Sequence, residues 1–260
     1  MLHQNKNILI KIFNKNSFVS GLLSVFAIFP VMAHTTTTPY LNVAIYRGEA
    51  GCPGCSEMVA KSLKETGLVV NIFYIGENEV LKLNKENLIN VDLYIQPGGG
   101  QDIPGAYRAI GETGARAIRD FVKNGKGYLG LCMGAYLADD NWLKLIDSPL
   151  DSEVGRPESR IYDESDYTIP IKWGRNTEAF YYQDGPYFDS SVKSKGYVPL
   201  AYYGNGDVAM AKYNYGKGTV VLSGPHPEAD DTWKDSSAAG YSTPQSKMLR
   251  ILGYFPKVKQ

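Results

Sequence analysis

The sequence predicts an α/β fold: a mostly parallel sheet covered by helices on both faces, with an antiparallel β extension. Three observations predict it. Short apolar runs suited to buried strands alternate with helical stretches through the first half of the chain. From Asp151 to Gly218 the pattern changes to short β-like runs separated by turn residues. Glycine-rich or cysteine-bearing segments follow several of the apolar runs, where an open α/β sheet builds its ligand sites.

The elements follow in order. Leu41 to Tyr46 (LNVAIY) reads as a buried strand, and the glycine- and proline-punctuated loop Arg47 to Gly54 leads from it to a helix over Glu57 to Thr66. Ser56 is the expected N-cap of that helix and Gly67 its C-cap. Strands are expected at Val69 to Tyr74 and Val91 to Ile95, with a helix-like polar segment between them near Glu77 to Glu86. Beyond Pro97-Gly98-Gly99-Gly100, apolar or small residues at Ala115, Ile118, Phe121 and Val122 mark a helix over Gly111 to Lys123, stopped by Asn124-Gly125. Gly127 to Leu131 is the next strand. Within the extension, Ala179 to Tyr182 and Val208 to Tyr213 read as strands, Thr219 to Leu222 as a buried strand, and Pro244 to Leu252 as a closing helix.

The chain has 260 residues, 43% hydrophobic and 21% charged, which suits a single domain over residues 41–260. Residues 1–33 read as an export signal: Lys6, Lys11 and Lys15 form a basic start without any acid, Phe18 to Met32 is a short apolar stretch, and Ala33 offers a small residue for cleavage. That apolar stretch contains Pro30 and falls short of the roughly 20 residues a bilayer span needs, so no stable membrane insertion is expected once the signal is cleaved. Residues 34–40 are a threonine-rich spacer, and the expected location is periplasmic or secreted. Basic and acidic residues number 27 each, so the whole chain is formally neutral. It shows no basic footprint for nucleic acid. Loss of the three signal lysines leaves 24 basic against 27 acidic residues, a net charge of about −3.

Tyr128-Leu-Gly-Leu-Cys-Met-Gly-Ala135 sets Cys132 between Gly130 and Gly134, at the junction of an apolar strand and a helix. A residue at such an elbow sits on a strained backbone, and small neighbours avoid a clash where strand and helix crowd together. A helix N-terminus there favours the thiolate, the form that attacks. The bland alternative is a free cysteine packed at a strand end. A thiol nucleophile needs a base, and His226 is the one histidine inside the expected domain. Glu228 lies two residues on, with Pro225 and Pro227 favouring an extended backbone that points both side chains the same way. The carboxylate then orients one ring nitrogen while the other faces the thiol. Gly98, Gly99 and Gly100 offer unobstructed N–H groups after a strand, and the N–H of Met133 follows from elbow geometry, so Gly99, Gly100 and Met133 form the candidate oxyanion hole. Tyrosine is abundant in polar and glycine-rich stretches, which makes Tyr136, Tyr182 and Tyr187 candidate pocket walls.

At these residues the chain resembles the class I glutamine amidotransferase-like superfamily, whose triad is a cysteine on a glycine-flanked elbow followed by a His-Pro-Glu stretch. Within it, the chain is most similar to the amidotransferase-like domain of biotin-protein ligases and of stand-alone bacterial proteins. Gln96-Pro-Gly-Gly-Gly-Gln-Asp102, Gly130-Leu-Cys-Met-Gly-Ala-Tyr136, Gly185-Pro-Tyr-Phe188 and Ser223-Gly-Pro-His-Pro-Glu228 carry the resemblance, which spans Leu41 to Leu252. It implies a flavodoxin-like fold and a catalytic triad of Cys132, His226 and Glu228, and it does not imply biotin transfer. Glutamine-using members carry glutamine or histidine where this chain has Ala135 and Tyr136, so the expected chemistry is hydrolysis of an amide or peptide-like bond in a small-molecule or peptide-like substrate. A binding or regulatory module on the same scaffold is the alternative.

Cys52-Pro-Gly-Cys55 follows the first strand. In an exported protein this spacing suits a small disulfide that staples the loop; the other reading is a redox pair, and with it a thiol-disulfide oxidoreductase, with Cys55 held as thiolate near a helix start. Two cysteines and a distant histidine leave a zinc ligand set incomplete, so neither metal nor cofactor is expected.

Overall fold

The computed structural model describes residues 40–189, 194–233 and 242–256. The expected export signal and residues 34–39 of the spacer lie outside the described residues. The strands are β1 (Leu41–Tyr46), β2 (Val70–Ile75), β3 (Leu93–Gln96), β4 (Gly127–Leu131), β5 (Asp151–Ser152), β6 (Tyr167–Trp173), β7 (Asn176–Tyr182), β8 (Pro186–Tyr187), β9 (Val198–Tyr202), β10 (Val208–Tyr215) and β11 (Gly218–Ser223). The helices are α1 (Cys55–Lys64), α2 (Lys85–Leu88), α3 (Ile103–Lys123), α4 (Met133–Tyr136) and α5 (Pro244–Leu252).

The main sheet runs β2-β1-β3-β4-β11-β10-β9-β6-β7. Its first five strands are parallel and follow the flavodoxin-like order. The last four are joined by antiparallel pairings, and β5 pairs with β8 as a separate two-stranded ladder. The alternation predicted from sequence is therefore observed, and the extension continues the same sheet.

Strands buried on both faces need apolar residues at every position, and β1 shows how the two sides divide. Ala44 and Tyr46 pack with Tyr94, Tyr128 and Leu222 against α3, which contributes Ile110, Ala115 and Ile118. Val43 and Ile45 face the other way, with Ile95, Leu129 and Val221, against Val59 and Leu63 of α1 and Met248 and Ile251 of α5. Each such fully buried aliphatic side chain contributes about 1.5–3 kcal/mol, and truncating Ile45 to Ala would cost about 2–5 kcal/mol.

Three elements differ from expectation. Helix α1 begins after Gly54, whose φ of 80° makes the left-handed turn into it, while Ser56 points inward and its hydroxyl donates to the Tyr46 carbonyl at 2.7 Å. The segment 77–84 is turn, leaving only the four-residue α2 capped by Asn84. The reason is that Glu77 accepts from the Tyr46 hydroxyl and the Glu49 N–H, and Lys82 donates to the Glu77 carbonyl, tying the segment to the first loop. Helix α3 starts at Ile103, eight residues before the expected start. Asp102 caps it by accepting from the Gly105 N–H at 2.8 Å, Pro104 occupies the first turn, and Gly111 at φ 69° divides it in two.

Candidate active site

The parallel strands deliver their following loops to one edge: Arg47–Gly54 after β1, Pro97–Asp102 after β3, Cys132 after β4, and Gly224–Glu228 after β11. The register sets Gln96 beside Gly130 and Leu131 beside Ser223, so the turns that follow are neighbours.

Cys132 adopts φ 51° and ψ −114°, a left-handed backbone that a non-glycine residue holds only when its surroundings fix it. Its N–H donates to the Ser223 carbonyl at 2.8 Å, and its carbonyl accepts from the Ala135 N–H at 2.8 Å. The two flanking glycines are required by close packing. A Cβ on Gly130 would strike the Gly134 carbonyl, and one on Gly134 would strike the Gln96 carbonyl of β3. The Tyr128 hydroxyl donates to that same Gly134 carbonyl at 2.7 Å, and Tyr128 stacks on Tyr94, whose hydroxyl donates to Gln96. Elbow, strand and core thus form one connected unit. The helix behind Cys132 is the single turn α4, so the helix field expected at the thiol is smaller than a full-length helix would supply.

His226 and Glu228 are both buried, at 4% and 0% exposure. The His226 N–H donates to the Tyr181 carbonyl at 2.9 Å, which fixes the backbone, and Nδ1 lies 2.8 Å from Glu228 Oε1, which fixes the ring. Nε2 is the nitrogen left for the sulfur. Burial works against a charged imidazole, but Glu228 and the neighbouring Cys132 sulfur outweigh it and push the His226 pKa up to about 10. The Cys132 thiol also donates to the Gln183 carbonyl at 3.3 Å. The structure therefore brings Cys132, His226 and Glu228 together, in an order that lets a proton released by sulfur be held on a ring oriented by a carboxylate.

The three-glycine run divides its work. Gly98 seats the imidazole: a Cβ there would lie 2.6 Å from His226 Cε1. Its carbonyl accepts from the Cys52 N–H at 2.9 Å, anchoring the run to the first loop. Gly99 and Gly100 line a cavity of about 700 Å³ with Cys132, Met133 and Tyr136. Among the described residues, the N–H groups of Gly99, Gly100 and Met133 show no hydrogen bond to a backbone carbonyl outside the regular helices and strands. A second cavity of about 240 Å³ shares Gly99, Cys132 and Gln183 with the first and adds His226, Tyr181 and Trp233. The sulfur stands between the two.

Of the tyrosines named as walls, Tyr136 lines the larger cavity, and burial followed by the nearby Asp184 carboxylate raises its pKa. Tyr182 and Tyr187 do not line either cavity. Strand alternation turns Tyr182 into the core, where its hydroxyl donates to the Gly185 carbonyl, and Tyr187 lies under the Arg156 guanidinium at 4.1 Å. Their place is taken by Tyr181, whose ring meets His226 edge-on at 5.3 Å, and by Trp233, 5.6 Å from His226. Sequence reasoning missed both, because β7 pairs back to His226 through contacts remote in the chain. The Cys52 and Cys55 sulfurs face each other at bonding range with Cα atoms 5.3 Å apart, a spacing that suits a bridge. Cys52 lies on the wall of the smaller cavity. Among the described residues, no three His, Cys, Asp or Glu side chains gather as metal ligands would.

Two solved structures share this architecture. A glutamine amidotransferase matches with a TM-score of 0.55 at 17% identity, covering 83% of this chain and 97% of that one. The PurLQS structure from Thermotoga maritima matches with a TM-score of 0.56 at 14% identity, covering 82% and 98%. The fold is class I glutamine amidotransferase-like. Residues 41–143 match the family described as biotin-protein ligase, N terminal. A biotin-protein ligase from Schizosaccharomyces pombe is 28% identical over 219 residues, covering 72% of this chain. The chain spans 33% of that curated relative's length.

Proposed function

We propose that this amidotransferase-like protein is an exported thiol hydrolase acting on an amide or peptide-like bond. The observation that carries the reading is the buried His226–Glu228 pair, which shares a cavity with Cys132 and whose imidazole pKa is pushed up to about 10. Cys132 attacks the carbonyl carbon as its proton rests on His226, the C–N bond breaks, and His226 passes the proton to the departing amine. Water then adds to the thioester and gives a proton back to His226, and the acid leaves as the sulfur is restored. The N–H groups of Gly99, Gly100 and Met133 would hold the oxyanion in both halves. The Cys52–Cys55 pair is read as a disulfide that staples the loop holding Gly98, consistent with export and the basic, apolar start of the chain. The test is hydrolysis of a panel of amide and dipeptide substrates by the protein and by Cys132→Ala. Turnover lost in the variant supports the reading, and turnover retained sinks it.

One observation favours a second reading, a binding or regulatory module without turnover: the matching curated relative is a biotin-protein ligase of which this chain spans a third. That reading expects no hydrolysis across the panel while Cys132 stays chemically intact.

A further inference from the structure

The two cavities that share the Cys132 sulfur have a one-sided charge. Asp139, Asp151, Glu164 and Asp184 line the larger one, and Asp166 lines the smaller. Among the described residues lining either cavity there is no Lys or Arg, and the only cationic group is the His226 imidazolium, whose charge is committed to Glu228. The acidity is local, because the whole chain is formally neutral.

The acidic groups are also held in place. Gln101 donates from its side-chain amide to Glu164 and, at 3.3 Å, to Asp184, bridging the loop after β3 to the far wall. The Ser152 hydroxyl donates to Asp184 at 2.6 Å. Asp184 follows Gln183, whose carbonyl accepts from the Cys132 thiol, and it holds φ 48°, a left-handed backbone that costs a non-glycine residue energy. Glu164 and Asp166 belong to one acidic stretch, Asp163-Glu164-Ser165-Asp166, that reaches both cavities. In the smaller cavity the Asp166 carboxylate accepts from the Tyr181 hydroxyl at 2.8 Å, beside the Trp233 ring, so a carboxylate adjoins aromatic faces that also attract cations. A substrate carboxylate here would face repulsion and meet no Lys or Arg among the lining residues. An ammonium or guanidinium would find several carboxylates.

We propose that the cleft selects a substrate carrying a cationic group, a primary amine or guanidinium, next to the bond or acyl carbon presented to Cys132, with Asp184 and Glu164 as specificity-determining residues. This rests on the reading of Cys132 as the reactive group and deepens it by naming a substrate class. Walls of one charge in a recess focus potential and enrich the opposite charge by roughly 10-fold or more.

The test uses the full chain and three methanethiosulfonate reagents of similar size: a cationic trimethylammonium-ethyl form, a neutral alkyl form and an anionic sulfonate-ethyl form. In each, the Cys132 sulfur forms the new S–S bond and methanesulfinate leaves. Rates are followed by intact mass, with Cys132→Ala as blank and 2-mercaptoethanol as the reference for intrinsic reactivity. The expected cation-to-anion rate ratio exceeds the reference ratio roughly 10-fold or more at low salt, shrinks at high salt, and falls severalfold in the Asp184→Asn/Glu164→Gln double variant. A ratio equal to the reference, or one that the double variant leaves unchanged, overturns the proposal. Failure of the two readings is distinguishable. Charge-selective labelling with no amide turnover sinks the hydrolase and supports the cation-selective cleft, whereas equal turnover of lysyl and glutamyl amides overturns the cleft and supports the hydrolase.

Discussion

The parallel and antiparallel parts of the sheet meet at Cys132 but are built on different terms. On the parallel side, Cys132, His226 and the glycine run occupy strand-end turns so closely packed that Gly98, Gly130 and Gly134 have no room for a methyl group. On the antiparallel side, the 183–185 turn and the loop between β5 and β6 present polar and acidic side chains to a cavity, and glycines such as Gly204 stand in open space. The difference teaches a division of labour. The thiol, the imidazole and the elbow glycines sit at the ends of the parallel strands, and the carboxylates that would select a substrate sit on connections held by side-chain hydrogen bonds such as those from Ser152 and Gln101 to Asp184.

The comparison can be broken at several points. The largest effect is expected at the parallel edge itself: Cys132→Ala removes all labelling by a thiol-directed electrophile, and His226→Gln slows labelling and hydrolysis by roughly 10²–10⁴-fold. Labelling of His226→Gln at the native rate would separate the ring from the sulfur's chemistry. Next comes packing. Gly134→Ala should destabilise the fold by about 1–3 kcal/mol in urea unfolding, since the added methyl meets the Gln96 backbone, while Gly204→Ala changes stability by less than about 0.5 kcal/mol. Equal costs at the two sites would erase the contrast.

A pH effect is expected as well. His226 binds its proton more tightly folded than unfolded, so its contribution is complete below the ordinary histidine value of 6.5 and fades as pH rises through about 10. The fall in the thermal midpoint between pH 7 and pH 10 should therefore be steeper in the native protein than in His226→Gln. Parallel curves would show that the ring carries no such charge. On the antiparallel side, Asp184→Asn alone should leave stability near native and change only charge selectivity at the sulfur.

How much of this was legible in the sequence follows the same boundary. The elbow was legible because a strained backbone and tight packing demand glycine at 130 and 134, a local signature, and β4 and α5 fall where the apolar periodicity puts them. His226 and Glu228 were legible through their proline-set spacing. The helix expected at 77–86 was misjudged because Glu77 bonds to Tyr46 and Glu49, residues some thirty positions away, which no helical pattern reveals. The start of α3 was hidden by Gly105 and Gly111, which look like breakers until the Asp102 cap and the turn at Gly111 are seen. Composition carries no strand phase, and phase decides that Tyr181 and not the adjacent Tyr182 meets the site. The acidic wall drew no attention because neutrality of the whole chain says nothing about where its carboxylates gather.

The ring seat at Gly98 has a consequence for anyone who would retool this scaffold. Three positions around the elbow and the ring, 98, 130 and 134, are closed to randomisation, since a side chain there displaces His226 or the elbow before it meets a substrate. A library aimed at new selectivity has its usable diversity at 101, 164 and 184, which line the larger cavity with the sulfur.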